Sequence, residues 1–215
     1  MICVSVGEKD YREAIRAASA FDFAEIRLDL LDRVDPFISE KIFSSHKKLI
    51  ATYRKGAAGG KERLPVLETA VKSGAAFVDL DISESPAFIS AVKSFCREKA
   101  FLIISYHDFK ETPPLSDIDG IIARALEYGA DAVKIACTAE NNVHVERLLS
   151  LPEYYSNARI IIAGMGKMGG RVRILSKSAG SWFTYASLPG RTATASGQLD
   201  YNELLTEQGR LGSVW

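Results

Sequence analysis

The chain has 215 residues with 27 basic and 27 acidic side chains, so it carries no net charge and no global pull toward nucleic acid or a membrane surface. It is long enough to bury a sizeable core in one domain spanning 1–215. The N-terminus, Met1-Ile2-Cys3-Val4-Ser5-Val6, is apolar from its first residue and lacks the basic region of a secretory signal, and apolar runs such as 101–105 and 160–163 are too short to span a bilayer. The three cysteines (Cys3, Cys96, Cys137) are widely spaced, with no CxxC pair and no Cys/His cluster, which fits a reduced, metal-free cytoplasmic protein.

Along the chain, short β-rich runs alternate with longer amphipathic ones. The expected strands are 2–7, 24–30, 49–54, 77–82, 101–107, 132–137, 159–165 and 182–187, and the expected helices are 10–20, 36–45, 64–73, 86–99, 115–128, 143–149, 171–178 and 201–210. Asp35-Pro36, Ser85-Pro86 and Pro113-Pro114 place proline in or near first helical turns, while Gly74 and Gly129 fall where helices should stop. Eight β-then-α units with short connections predict an α/β fold, a (β/α)8 TIM barrel; a doubly wound open sheet is the other arrangement the pattern allows.

Side chains two apart in a strand share a face. In the second strand Glu25, Arg27 and Asp29 share one, opposite Ile26 and Leu28. Thr52 with Arg54, Asp79 with Asp81, and Ser105 with His107 repeat this in the next three strands, Lys134 adds a sixth-strand member, and Ser5 adds a first-strand one. In a barrel the apolar faces meet the helices and the polar faces converge inside. Glu25, Asp79 and Asp81 pairing with Arg27, Arg54 and Lys134 would satisfy such a set. The placement of Arg54, His107 and Lys134 near strand ends points instead to a polar active site at the C-terminal mouth.

Lys134 lies in Asp131-Ala132-Val133-Lys134-Ile135-Ala136-Cys137, a strand apolar enough to be buried on both faces. Burying an ammonium there costs free energy unless it is paired or loses its proton, and a neutral amine is a nucleophile toward carbonyls. Lys134 is therefore either a paired core residue or a Schiff-base former.

From Tyr154 to Leu199 there is no acidic residue, whereas Arg159, Lys167, Arg171, Arg173, Lys177 and Arg191 all fall there. Gly164-Met165-Gly166-Lys167-Met168-Gly169 matches GxGxxG, but the ribose-binding acid expected about twenty residues on is missing. An anion site after the last two strands, with a carboxylate held by Arg173 or Arg171, accounts for the stretch better. His46 and His144 read as surface residues, and Asp117 and Asp119 as helix-start residues. No HExxH, P-loop, nucleophile elbow or basic-aromatic stripe is present.

Taken together these residues resemble the type I 3-dehydroquinate dehydratases. The resemblance runs through Val4-Ser5-Val6, Glu25-Ile26-Arg27-Leu28-Asp29, Arg54, Val78-Asp79-Leu80-Asp81 and Ser105-Tyr106-His107-Asp108-Phe109. It continues through Val133-Lys134-Ile135-Ala136, Met165-Gly166-Lys167, Arg173 and Ala195-Ser196-Gly197-Gln198. It implies a (β/α)8 barrel that dehydrates 3-dehydroquinate to 3-dehydroshikimate without a cofactor or metal, and a homodimer. By resemblance Lys134 is the Schiff-base lysine and His107 the general acid/base. Ser5, Glu25, Arg27, Arg54, Arg173, Thr194 and Gln198 bind substrate, with Arg173 facing its carboxylate and Thr194 standing where serine is usual. Two departures are visible. The glutamate usual before the glycine pair after strand three is absent from Lys55-Gly56-Ala57-Ala58-Gly59-Gly60, which leaves His107 without its expected acid, and Ser196 replaces a proline. The alternatives are another lysine-dependent aldolase acting on a small keto acid, and a non-catalytic anion-binding barrel.

Overall fold

The computed structural model describes residues 1–56 and 63–212, so Ala57, Ala58, Gly59 and Gly60 lie outside the described residues. The chain runs through β1 (Ile2–Val6), α1 (Tyr11–Ala18), β2 (Ala24–Arg27), α2 (Pro36–Phe43), β3 (Leu49–Thr52), α3 (Arg63–Lys72), β4 (Phe77–Asp81) and α4 (Pro86–Cys96). It continues through β5 (Phe101–Asp108), α5 (Leu115–Glu127), β6 (Ala132–Thr138), α6 (Asn142–Tyr154), β7 (Ile160–Met165), α7 (Gly169–Leu175), β8 (Thr184–Ser187) and α8 (Tyr201–Gly212).

Local sequence explains the helix starts. The carboxylate of Asp35 accepts from Ile38 N ahead of Pro36, and Ser85 does the same for Phe88 N ahead of Pro86. Asp10 and Asn141 cap α1 and α6 in the same manner. Several expected elements end elsewhere, β2 and α6 among them. β2 stops at Arg27, because Leu28–Leu30 turns into a 3-10 helix in which Asp29 closes back on Arg27 with a bidentate ion pair. α6 runs on to Tyr154 through Pro152.

All seven strand ladders are parallel, in the order β7-β6-β5-β4-β3-β2-β1-β8. Neighbours in sequence are neighbours in space and β8 returns to β1, so the sheet wraps as a barrel; a doubly wound sheet would reverse its order at a switch point. Among the described residues no ladder joins β7 to β8. The seam is instead stitched by Trp182 N donating to Ile160 O (2.9 Å) and by Arg173. From α7, Arg173 Nε donates to Gly164 O on β7 (2.9 Å) and Nη1 to Tyr185 O on β8 (3.0 Å).

Alternation divides the core in two. Outward residues such as Val4, Ile26, Val78, Ile104 and Ile135 join the helices in one large apolar layer. Inward residues at the barrel base, Phe23, Ile50, Phe77, Ile103, Ile161 and Phe183 among them, form an apolar plug. Within it the Phe23–Phe183 rings meet edge-on with centroids 5.0 Å apart, a contact of about 0.5–1.5 kcal/mol beyond area burial. The plug closes the N-terminal end and leaves the next layers toward the C-terminal end for polar groups.

The approach of α7 to β7 depends on Gly164. A Cβ there would lie 2.6 Å from Val172 Cβ and 2.9 Å from Gly169 O, so α7 and the Arg173 stitch it carries would have to move. Gly164→Ala is expected to lower the unfolding free energy by about 1–3 kcal/mol, read from the urea midpoint. An unchanged midpoint would mean that α7 is not held by this contact.

Candidate active site

Above the apolar plug lies the ring of Tyr185, and Lys134 Nζ sits 4.6 Å over its centroid. Nζ donates to Asp79 Oδ2 at 2.5 Å, while Ser105 Oγ donates to the other carboxylate oxygen at 2.6 Å. Lys134 and Asp79 are 4% and 3% exposed, so neither charge could stay there alone at a cost below several kcal/mol. Burial acts to raise the Asp79 pKa, but Lys134, Arg54 and His107 together outweigh it and hold the carboxyl below its ordinary range.

One layer higher, His107 bridges two groups. Its Nδ1 is 2.8 Å from Asp81 Oδ2 and its Nε2 is 2.7 Å from Arg54 Nη2. A guanidinium has no acceptor, so Arg54 donates and Nε2 accepts. That fixes the tautomer, with the proton on Nδ1 and donated to Asp81. Burial lowers the His107 pKa below 6.5, with Lys134 and Arg54 reinforcing it, and Asp81 opposes them in part. Asp81 itself is held well below the carboxylate range: its burial is outweighed by bonds from His107 and from the Ser83 hydroxyl and backbone N–H. An acid for His107 is thus supplied from β4, although none stands before the glycine pair after β3.

On the opposite wall a run of hydroxyls ends on Glu25. Ser5 Oγ donates to Glu25 Oε2 (2.5 Å), Thr52 Oγ1 to Oε1 (2.8 Å), and Thr194 Oγ1 approaches Ser5 Oγ at 2.9 Å. Thr194 also donates to Gln198 Oε1 through its backbone N–H (3.1 Å), with its hydroxyl 3.0 Å from the same oxygen, so the segment after β8 is anchored to the mouth by its own side chains. Of the ion pairs weighed from the sequence, only Asp79–Lys134 forms. Arg27 takes Asp29, at 2.9 and 2.6 Å, because the turn after β2 folds that carboxylate back; Asp81 takes His107; Glu25 takes hydroxyls. Arg173 lies 2% exposed with Nε and one N–H of Nη1 committed to the seam, which accounts for two of its five donors. Burial pushes its pKa down to about 10, still charged at neutral pH. Arg171 lies outside this cluster and donates to Asn142 Oδ1 at the exposed rim.

All nine residues singled out from the sequence, Ser5, Glu25, Arg27, Arg54, His107, Lys134, Arg173, Thr194 and Gln198, border one cavity at the C-terminal mouth. It encloses about 660 Å³ of empty space, part of it open to solvent, which suits a small polar molecule. Phe109, Ala136, Ala163, Met165, Tyr185 and Ala195 complete the lining. Tyr185 was not anticipated, although Phe183, Tyr185 and Ser187 alternate inward along β8 as other strands do. Its hydroxyl and Arg54 Nε are two of the three buried side-chain polar atoms among the described residues that have no hydrogen-bond partner. Among the described residues no group of three His, Cys, Asp or Glu side chains is placed to hold a metal ion, and no helix is long and apolar enough to cross a membrane.

A (β/α)8 barrel with a buried lysine at its centre, a histidine–aspartate pair beside it and arginines at the rim defines a class: barrels built for imine and proton-transfer chemistry on a small carbonyl acid. Comparison with known proteins makes this particular. The family model for type I 3-dehydroquinase matches residues 2–207, and the chain belongs to that family. It is 32% identical over 213 residues to a 3-dehydroquinate dehydratase of Desulfotalea psychrophila, covering 94% of each chain. A counterpart from Methanococcus maripaludis is 34% identical over 215 residues, covering 95% of this chain and 96% of that one. Among solved structures, the type I 3-dehydroquinate dehydratase of Clostridium difficile with covalent modified comenic acid superposes with a TM-score of 0.84 at 25% identity, covering 100% and 93% of the two chains. The Aquifex aeolicus 3-dehydroquinate dehydratase gives 0.82 at 27% identity and 98% of both.

The His107 environment has a measurable consequence. Because burial favours the neutral ring, the unfolded chain takes a proton first as pH falls, and this residue's contribution to stability is complete above about 6.5 and fades below it. NMR titration of His107 should give a midpoint below 6.5, and Asp81→Asn should lower it further by replacing the charged acceptor that favours the imidazolium with a neutral one. A midpoint that rises in Asp81→Asn would contradict the pairing.

Proposed function

We propose that the cavity carries out the family's dehydration of 3-dehydroquinate with Lys134 as nucleophile and His107 as acid and base. The observation that carries this assignment is the buried Lys134 Nζ at the cavity floor with His107, already in the tautomer that accepts at Nε2, on the adjacent strand.

A ketone holds its α-proton too tightly for direct removal by an imidazole. Lys134 first passes a proton to Asp79 Oδ2, 2.5 Å away, and adds to the ketone carbon, and Asp79 returns that proton to the carbinolamine hydroxyl as it leaves. Loss of water from the carbinolamine leaves an iminium, which draws electrons from the neighbouring C–H bond. His107 Nε2 takes that proton, and Asp81 stabilises the resulting imidazolium. The enamine electrons return, the C–O bond of the hydroxyl breaks, and His107 gives its proton to the departing oxygen, which leaves as water. Addition of water to the conjugated iminium frees Lys134 and 3-dehydroshikimate. The net change is loss of one water, with no oxidant and no metal in the balance. Once the iminium has formed, the Asp79 carboxylate and the face of the Tyr185 ring lie against the nitrogen where its charge appears.

Ser5, Glu25, Arg27, Arg54, Arg173, Thr194 and Gln198 are assigned to substrate. The arginines supply charged donors for the carboxylate and ring hydroxyls, Arg173 through the N–H groups that the seam does not use. The Glu25 carboxylate, already accepting from two hydroxyls, orders the wall that faces them. A homodimer, one catalytic domain over 1–215 and a cytoplasmic setting belong to the same reading, on the family resemblance.

Two variants test the assignment through the conversion of 3-dehydroquinate to 3-dehydroshikimate. Lys134→Ala should abolish turnover while the folded variant still binds substrate, and by leaving Asp79 buried without its partner it should lower stability by about 3–5 kcal/mol. His107→Ala should keep the imine step and lose about 10²–10⁴ in kcat. Turnover surviving in Lys134→Ala would remove the covalent mechanism.

A further inference from the structure

We propose that Arg54 caps the catalytic base: in the ligand-free protein its Nη2–H occupies the Nε2 lone pair of His107, and a substrate oxygen that draws the guanidinium to itself releases that lone pair for proton transfer. This rests on the dehydratase reading above and adds to it a step that precedes the chemistry.

At 2.7 Å from a guanidinium nitrogen, the imidazole nitrogen can only accept, since arginine carries no lone pair of its own to offer. The other ring nitrogen is taken by Asp81 at 2.8 Å, so the resting ring has no free lone pair. A base in that state cannot receive a proton from carbon. Protonating it in place would set an imidazolium N–H against guanidinium N–H groups, two like charges in contact inside a protein wall. For His107 to act, Arg54 has to leave.

The resting position of Arg54 is also incompletely satisfied. Its Nε is buried with no acceptor among the described residues, a state that costs free energy and that an oxygen-rich ligand relieves. Arg54 follows β3 just past the last ladder residue, Thr52, so its side chain is not fixed by sheet pairing. It borders the same cavity as Lys134, so a ligand seated for attack by Lys134 brings its hydroxyls and carboxylate within the guanidinium's surroundings. The groups facing His107 are Arg54 from the segment after β3, Asp79 and Asp81 from β4, Lys134 from β6 and the stacked ring of Phe109 beyond β5. Of these only Arg54 touches Nε2. Coupling uncapping to ligand seating keeps the base occupied while the cavity is empty and frees it once a substrate has arrived.

The test follows the His107 ring nitrogens by ¹⁵N NMR over pH in three states: the free protein, the protein saturated with quinate, and free Arg54→Met. Quinate carries a hydroxyl where the substrate has its ketone and so cannot form an imine. Removing the cap should raise the His107 midpoint by about one pH unit both in quinate-saturated wild type and in free Arg54→Met. Arg54→Lys, which keeps a donor and a charge, should stay nearer the wild-type value. In kinetics, Arg54→Met should move the His107-dependent limb of the kcat/KM profile to higher pH in addition to raising KM; a residue that only bound substrate would change KM alone. An unchanged midpoint in both Arg54→Met and Arg54→Lys, or quinate that binds wild type without moving His107, overturns the cap. Quinate that fails to bind while Arg54→Met still raises the midpoint leaves the cap standing and counts against the dehydroquinate reading instead.

Discussion

Lys134 and Asp79 form an ion pair 2.5 Å long inside a parallel barrel, both less than 5% exposed, and this pair sets the terms for what surrounds it. Neither charge is tolerable there without the other, and neither partner can satisfy all its valences alone. Ser105 therefore supplies a hydroxyl to the second oxygen of Asp79, and Tyr185 supplies a ring face beneath the ammonium. The apolar plug lies below the pair, and the cavity that reaches Lys134 opens at the C-terminal mouth. A group that is costly to bury has been buried where a carbonyl can reach it and little water can. The same carboxylate that holds the ammonium also lies where the iminium's positive charge develops.

The second constraint is the seam. Seven parallel ladders leave β7 and β8 without one of their own, and Arg173 fills part of that gap by donating to a carbonyl on each strand. Fold and site thus share a side chain. The arginine that faces the cavity is held rigidly because it also joins the sheet. Gly164 permits the arrangement: with no Cβ there, α7 approaches closely enough for Arg173 to reach across.

Much of this was legible from the chain. Alternation in short strands showed that Glu25, Asp79, Asp81, Ser105, His107 and Lys134 point inward, and a charged interior next to apolar outward faces is what a barrel with a polar mouth requires. The pairing within that set was not legible. Strand spacing fixes which residues share a face, but the partners were decided by the turn after β2, which bends Asp29 back to Arg27, and by Asp79 and Asp81 facing Lys134 and His107 respectively across β4, β5 and β6. The absence of an acid before the glycine pair after β3 suggested a histidine without a partner; Asp81 was already on the right face to be one. Arg173's place at the seam had no signal in the sequence, because it depends on a ladder that does not form. Tyr185 did have one, in the inward alternation of β8.

The central claim is that Lys134 forms a covalent imine with the substrate ketone. Incubating the protein with 3-dehydroquinate, reducing with borohydride and mapping peptides by mass spectrometry tests it directly. The account predicts a stable adduct confined to the peptide that contains Lys134, formed only when reductant and substrate are both present. Unmodified Lys134 under conditions in which 3-dehydroshikimate still accumulates would contradict it.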